Sequence, residues 1–332
     1  MLKQYKNTLI TLLAYLTITM SAVSVYAETN LEYRQEPITP IPQPVIVDQA
    51  KVRLGELLFF DTRLSKNNAI SCATCHQLKM GGDDNVAMGI SSSTEKHVIN
   101  TPTVFNAVFN FRQNWNGSAN TLAEQIDMVM FDHHEFSNQW SNVTKQLSLD
   151  KDLSNIFNTI YKDGLTKENI TDAIVEYEKT LVTPDSCFDN YLKNEDETLT
   201  DKELSGYKLF KEYGCISCHQ GVNIGGNLFQ KFGIFYDYIA ERGRITKQDY
   251  GKFNITNRQL DKFVFKVPSL RNIAVTAPYL HDGSAETLEE VISIMGKTQL
   301  GRTLSEKDIA LIKSFLNTLT GKYNNKSLDD AS

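Results

Sequence analysis

The chain has 332 residues, 41% of them hydrophobic and 22% charged, with a formal net charge of −6. That length accommodates two compact domains, and the acidic balance argues against nucleic acid as a partner.

Lys3 and Lys6 precede a run without charge from Asn7 to Ala27, mostly apolar between Leu9 and Met20. Val25-Tyr26-Ala27 puts small or apolar residues at the −3 and −1 positions of a signal peptidase site. Residues 1–27 are therefore predicted as a cleaved secretory signal peptide rather than an uncleaved anchor, because the apolar core is short for a span. Export to the periplasm follows, with no membrane span after cleavage.

Beyond residue 27 the pattern is helical and strand-like alternation is scarce. Val47, Ala50, Leu54, Leu57 and Leu58 recur at spacings of three and four, as one buried helix face would. Leu122, Ile126, Val129 and Met130 do the same, as do Ile170, Ile174, Tyr177 and Leu181. Pro184 and the polar run "KNEDETLTDKE" then separate two halves. Thr200-x-x-Glu203, Thr287-x-x-Glu290 and Ser305-x-x-Asp308 carry the pattern of helix starts. The prediction is an all-α protein of two domains, 28–185 and 186–332, forming an approximate internal duplication.

Each half contains one CxxCH unit: Cys72, Cys75 and His76 in "ISCATCHQLKMGG", and Cys215, Cys218 and His219 in "GCISCHQG". Two thiols three apart can each add to one vinyl group of a porphyrin, and the adjacent imidazole reaches the iron. Chance would supply such a unit on the order of one time in a thousand for this composition. A thioredoxin-like or zinc site would leave the adjacent His76 and His219 unexplained. Two covalent c-type haems account for four of the five cysteines. The fifth, Cys187, is assigned no role.

Around these units the sequence resembles the bacterial dihaem cytochrome c peroxidase family, whose relatives include MauG. The resemblance runs from about Leu54 to Leu319. It rests on "GELLFFDTRLS", "NTPTVFNAVFNFRQNWNGSA", "TLVTPDSCFDNYL", "PSLRNIAVTAPYLHDGS" and "VISIMGKTQLG". It implies two cytochrome c-like domains, each with one covalent haem, and the haems near a shared interface. It also implies reduction of hydrogen peroxide at the first haem. Electrons would come from a small cytochrome c or cupredoxin through the second haem, in a homodimer.

Several residues take roles from this resemblance. Met295 matches the distal ligand of the second haem, the alternative being a core methionine. Trp115 matches the tryptophan between the haems, and Gln125 and Glu135 match the polar pair over the peroxidatic haem. Such a pair is what the chemistry needs. A carboxylate moves the peroxide proton from the inner to the outer oxygen so that water leaves, and an amide orients the peroxide. His133 and His134 are either surface residues or supports. Asn100, Thr276 and Pro278 match an interdomain calcium site of hard oxygen donors, to be completed by waters. Arg271 is expected to pair with a haem propionate.

One position departs from the family. A capping histidine would fall at residue 92, where Ser92 stands. Serine is a poor ligand for haem iron. Either the first iron lacks a protein ligand on that face, the reading favoured here, or the loop is re-registered and His97 binds. Two rivals are a MauG-like enzyme oxidising a partner protein, against which Met295 argues, and a dihaem electron carrier, against which Glu135 and Gln125 argue.

Overall fold

The computed structural model describes residues 33–42, 47–89, 99–195 and 198–331. The first half contains α1 (Gln49–Phe59), α2 (Cys72–Cys75), α3 (Leu122–Phe131), α4 (Trp140–Leu147), α5 (Lys151–Ile160) and α6 (Lys167–Glu178). The second contains α7 (Cys187–Leu192), α8 (Asp201–Glu212), α9 (Tyr238–Glu241), α10 (Phe253–Thr256), α11 (Leu288–Leu300) and α12 (Glu306–Asn317). The predicted starts at Thr200, Thr287 and Ser305 are N-caps, each accepting the amide of the acidic residue three positions on.

Each half closes by crossing two helices at a glycine. A Cβ on Gly55 of α1 would lie 1.9 Å from the Ala173 carbonyl oxygen of α6, and one on Gly206 of α8 would lie 2.0 Å from that of Leu311 in α12. Only glycine lets these backbones approach so closely. Around the first crossing Leu54, Leu58, Ile126, Phe157, Ile170 and Ile174 form one core. Around the second, Phe188, Tyr207, Phe210, Ile312, Phe315 and Leu319 form another. Each fully buried phenylalanine contributes roughly 1.5–3 kcal/mol by leaving water.

A polar hub joins the halves. Asn106 and Asn272 both have left-handed backbones, with φ of 60° and 61°. Both side-chain amides donate to Thr183 Oγ1, at 2.8 and 2.9 Å. Their backbone amides donate to Leu181 and Leu319, which occupy matching places in the two halves. A small apolar cluster of Phe59, Phe105, Tyr177, Leu181 and Leu328 packs beside the hub.

One expectation needs correction. Helix is the commonest regular structure but covers about 45% of the chain, which is not wholly α. β1 (Phe229–Lys231) pairs antiparallel with β2 (Val264–Lys266), Phe229 opposite Lys266, and β3 (Lys322–Tyr323) pairs with β4 (Lys326–Ser327). The start of the described chain packs on the second half. Ile38 belongs to the second core, and the Arg34 and Ile41 amides bond to Leu192 and Asp189. Reciprocally, Tyr323 stacks on Phe105 of the first half at 5.1 Å. The two ends of the described chain thus strap across the halves.

Candidate functional site

The two CxxCH units are built alike. In the first, one helical turn presents Cys72 and Cys75 on one side, and Thr74 Oγ1 accepts the Ser71 amide at 2.9 Å. The His76 ring lies with Nδ1 3.2 Å from the Gly82 carbonyl. That carbonyl can only accept, so Nδ1 carries the proton and Nε2 is left with its lone pair. In the second unit His219 Nδ1 stands 3.2 Å from the Ile224 carbonyl, with the same result. Burial lowers the pKa of both rings, that of His219 to about 4, so both are neutral imidazoles suited to a metal. Fixing the ring through Nδ1 is how a ligating histidine is ordinarily oriented.

Opposite His219 lies a cavity of about 490 Å³. Cys215, Cys218, His219 and Met295 all line it, as does Trp115 from the first half. These residues fit a covalent haem c with a thioether on its far side. Burial raises the Cys215 thiol to about 11 and the Cys75 thiol to about 12, as expected of sulfurs in an apolar pocket.

The segments after the two units match as well, and reveal where the halves differ. Gln113 bridges to Ala119 and Tyr279 bridges to Ala285 at one sequence offset, and Thr121 and Thr287 cap α3 and α11 at the same offset. By that correspondence Met295 of α11 matches Val129 of α3, and Val291 matches Gln125. Val291 and Met295 both line the second cavity. In the first half these places hold a polar amide and an aliphatic side chain that cannot ligate iron.

Glu135 follows α3 in a loop folded back by amide bonds from Phe136 to Val129 and from Asn138 to Met130. It is half-buried, and its charge acts on Cys72, Cys75 and His76, which places it beside the first unit. His133 is exposed and His134 half-buried next to it. Trp115 spans the two halves. Its Nε1–H donates to the Asn100 carbonyl at 2.8 Å, and its own carbonyl accepts the Lys266 amide at 2.9 Å.

Asn100, Thr276 and Pro278 all line the same cavity. Beside them sequence reasoning missed Asp83, which is 2% exposed and whose Oδ1 has no hydrogen-bond partner. Burial, reinforced by Asp84, raises its pKa to about 8. An orphaned buried carboxylate oxygen next to these donors fits a hard cation such as calcium.

Arg271 is 1% exposed. Its Nη1 ion-pairs with Asp189 at 2.8 Å, Nε donates to the Val222 carbonyl and Nη2 to that of Thr39. The guanidinium pins the N-terminal strap, while Nη1 makes no hydrogen bond besides that ion pair.

Sequence reasoning also missed His281, which lies where Trp115 lies in the first half. It is buried, bonded through Nε2 to Asp249 at 2.7 Å, and packed 4.6 Å from Phe265. The offset between the two Gly-Ser-Ala turns would have found it. Asp249, His281 and Asp282 form the one such His/carboxylate group among the described residues, and Arg242 bridges its two acids. The guanidinium sits where a metal would have to bind. Cys187 is exposed at the start of α7. Ser92, His97 and residues 1–27 lie outside the described residues.

Comparison with known proteins gives consistent results. The family model for di-haem cytochrome c peroxidase matches residues 49–197. Cytochrome c peroxidase Ccp of Escherichia coli is 42% identical over 89% of this chain, which spans 63% of that relative's length. Cytochrome c551 peroxidase of Nitrosomonas europaea is 38% identical over 92% of this chain and 90% of its own. Among solved structures, a MauG-like protein associated with microbial copper homeostasis superposes with a TM-score of 0.77 at 27% identity, covering 87% of this chain and 96% of the other.

Proposed function

The chain belongs to the di-haem cytochrome c peroxidase family of oxidoreductases that act on peroxide, and we infer from that premise that it reduces hydrogen peroxide to water with two covalent haems c. The observation that carries the assignment of roles is the asymmetry between α3 and α11. Where α11 offers Met295 across from His219, α3 offers Val129 and the polar Gln125. A thioether raises a haem's potential and suits a site that receives electrons. A face without a ligating side chain, with an amide and a carboxylate near it, suits peroxide.

When bound, the two haems supply the redox-active irons. The protein's own groups then divide the work. Gln125 orients the peroxide by hydrogen bonding. Glu135 takes the proton from one peroxide oxygen and returns it to the other, so that the O–O bond breaks and water leaves. Two electrons and two protons complete the balance, H2O2 + 2e− + 2H+ → 2H2O. Trp115 lies between the halves and offers a π system on the way. Asn100, Thr276 and Pro278, with Asp83 beside them, hold a calcium ion that ties the halves at this point. The donor is a small cytochrome c or cupredoxin, the compartment the periplasm and the assembly a homodimer. Among the described residues no helix is long and apolar enough to cross a membrane.

Stopped-flow oxidation of a reduced small cytochrome c on addition of peroxide tests this reading. The expected result is catalytic oxidation of two donor molecules per peroxide. No turnover, or turnover only with a protein substrate whose residues become oxidised, overturns it in favour of MauG-like chemistry.

A further inference from the structure

Lys266 is the residue of the second cavity that nothing above uses. It ends β2, its side chain is 8% exposed, and it stands on the wall shared with Cys215, His219 and Met295. Its backbone is held on both sides, by the register of β2 against β1 and by the 2.9 Å bond to the Trp115 carbonyl. Among the described residues no hydrogen bond or ion pair reaches its ammonium. Burial alone lowers its pKa, to about 8, and no carboxylate acts on it. Asp83, the unpaired acid on the same wall, is perturbed by burial and Asp84 but not by Lys266.

An ammonium held in an apolar cavity without a partner is costly, and buried charges are ordinarily paired. The missing anion therefore has to arrive with whatever fills the cavity. A haem c attached at Cys215 and Cys218 brings two carboxylates of its own. We propose that Lys266 binds a propionate of the second haem and, by placing a positive charge beside it, favours the ferrous state of that iron. A fixed positive charge opposes the extra charge of ferric iron, so it raises the potential at the site that receives electrons. This deepens the functional reading and rests on the second cavity holding a haem.

The test uses the haem-loaded protein, with haem stoichiometry read by mass and the midpoint potentials by spectroelectrochemical titration. Lys266→Met is expected to lower the second haem's potential, shifting its ferrous-to-ferric ratio about tenfold at fixed poise, ~59 mV for a one-electron couple. The first haem should move less, and Lys266→Arg should retain the wild-type value. Should Lys266→Met fail to fold, Lys266→Gln removes the charge at near-constant size and gives the same reading. A loaded, folded charge-removing variant with an unmoved potential overturns this proposal alone. A wild type lacking haem at Cys215 and Cys218 overturns the functional reading and this proposal with it.

Discussion

Arg271→Met separates a structural role from a cofactor role. The Arg271 guanidinium lies 2.8 Å from Asp189, with the two side chains 1% and 0% exposed. Removing one partner of a buried pair costs about 3–5 kcal/mol, because the other charge is left uncompensated. Asp189 keeps the amides of Ile41 and Ser186, which moves the expected loss to the lower end, ~3 kcal/mol. The carbonyls of Thr39 and Val222 also lose their donor, so the strap at residues 33–42 should loosen first. Denaturant unfolding of the loaded protein should show this loss, while titration of the second haem should show an unchanged potential. Asp189→Asn added to Arg271→Met removes both charges, keeps one oxygen to accept a buried amide, and should recover part of the stability. A loss below about 1 kcal/mol, or a fallen potential with stability intact, would refute the structural assignment and return Arg271 to the propionate.

Met295→His should leave both haems attached but lower the second haem's potential, because imidazole stabilises ferric iron better than a thioether does; an unmoved potential removes Met295 from the iron. Glu135→Gln should keep both haem spectra and lose about 10²–10⁴-fold in peroxide turnover, whereas a change within about threefold would pass the proton to His133 or His134. Val129→Met should give the first haem a thioether at the place matching Met295, turning it low-spin and slowing turnover. An unaltered spectrum would show that α3 and α11 do not face their haems alike. The oxidised wild type should show one high-spin and one low-spin haem and turn over peroxide without prior reduction; two low-spin haems that stay silent until reduced would point to His97 as the cap instead of an open face at Ser92.

Much of this was legible in the chain because the relevant signals are local. A CxxCH unit is complete within five residues, and Thr200, Thr287 and Ser305 announce their helices within one turn. What was not legible depends on partners far apart in sequence. The pairing of Arg271 with Asp189, the strap carbonyl at Thr39 and the carbonyl of Val222 leaves no local mark in the sequence. Lys266 sits in a short strand whose alternation is too brief to mark it as buried. The crossing of the termini leaves no compositional mark either, since Ile38 and Tyr323 are ordinary hydrophobic residues whose destinations only the fold decides.

The duplication explains why the functional differences collect where they do. Both halves need a glycine crossing, a capped helix and a carbonyl-fixed imidazole, and those features are the same in each. Against that shared frame the halves differ at several matching places. At matching places the first half carries Asn100, Trp115, Gln125 and Val129, and the second carries Lys266, His281, Val291 and Met295. Each exchange changes the chemistry facing the cofactor and leaves the backbone alone. An amide at the place of an aliphatic side chain, and an aliphatic one at the place of a thioether, are the difference on which the proposed division between a peroxide site and an electron-receiving site rests. Asn100 likewise stands at the place of Lys266, an amide in one half against an unpaired ammonium in the other. On the proposed reading, two copies of one cradle divide into a site for chemistry and a site for electrons, with Trp115 bonded to both Asn100 and Lys266 at the seam.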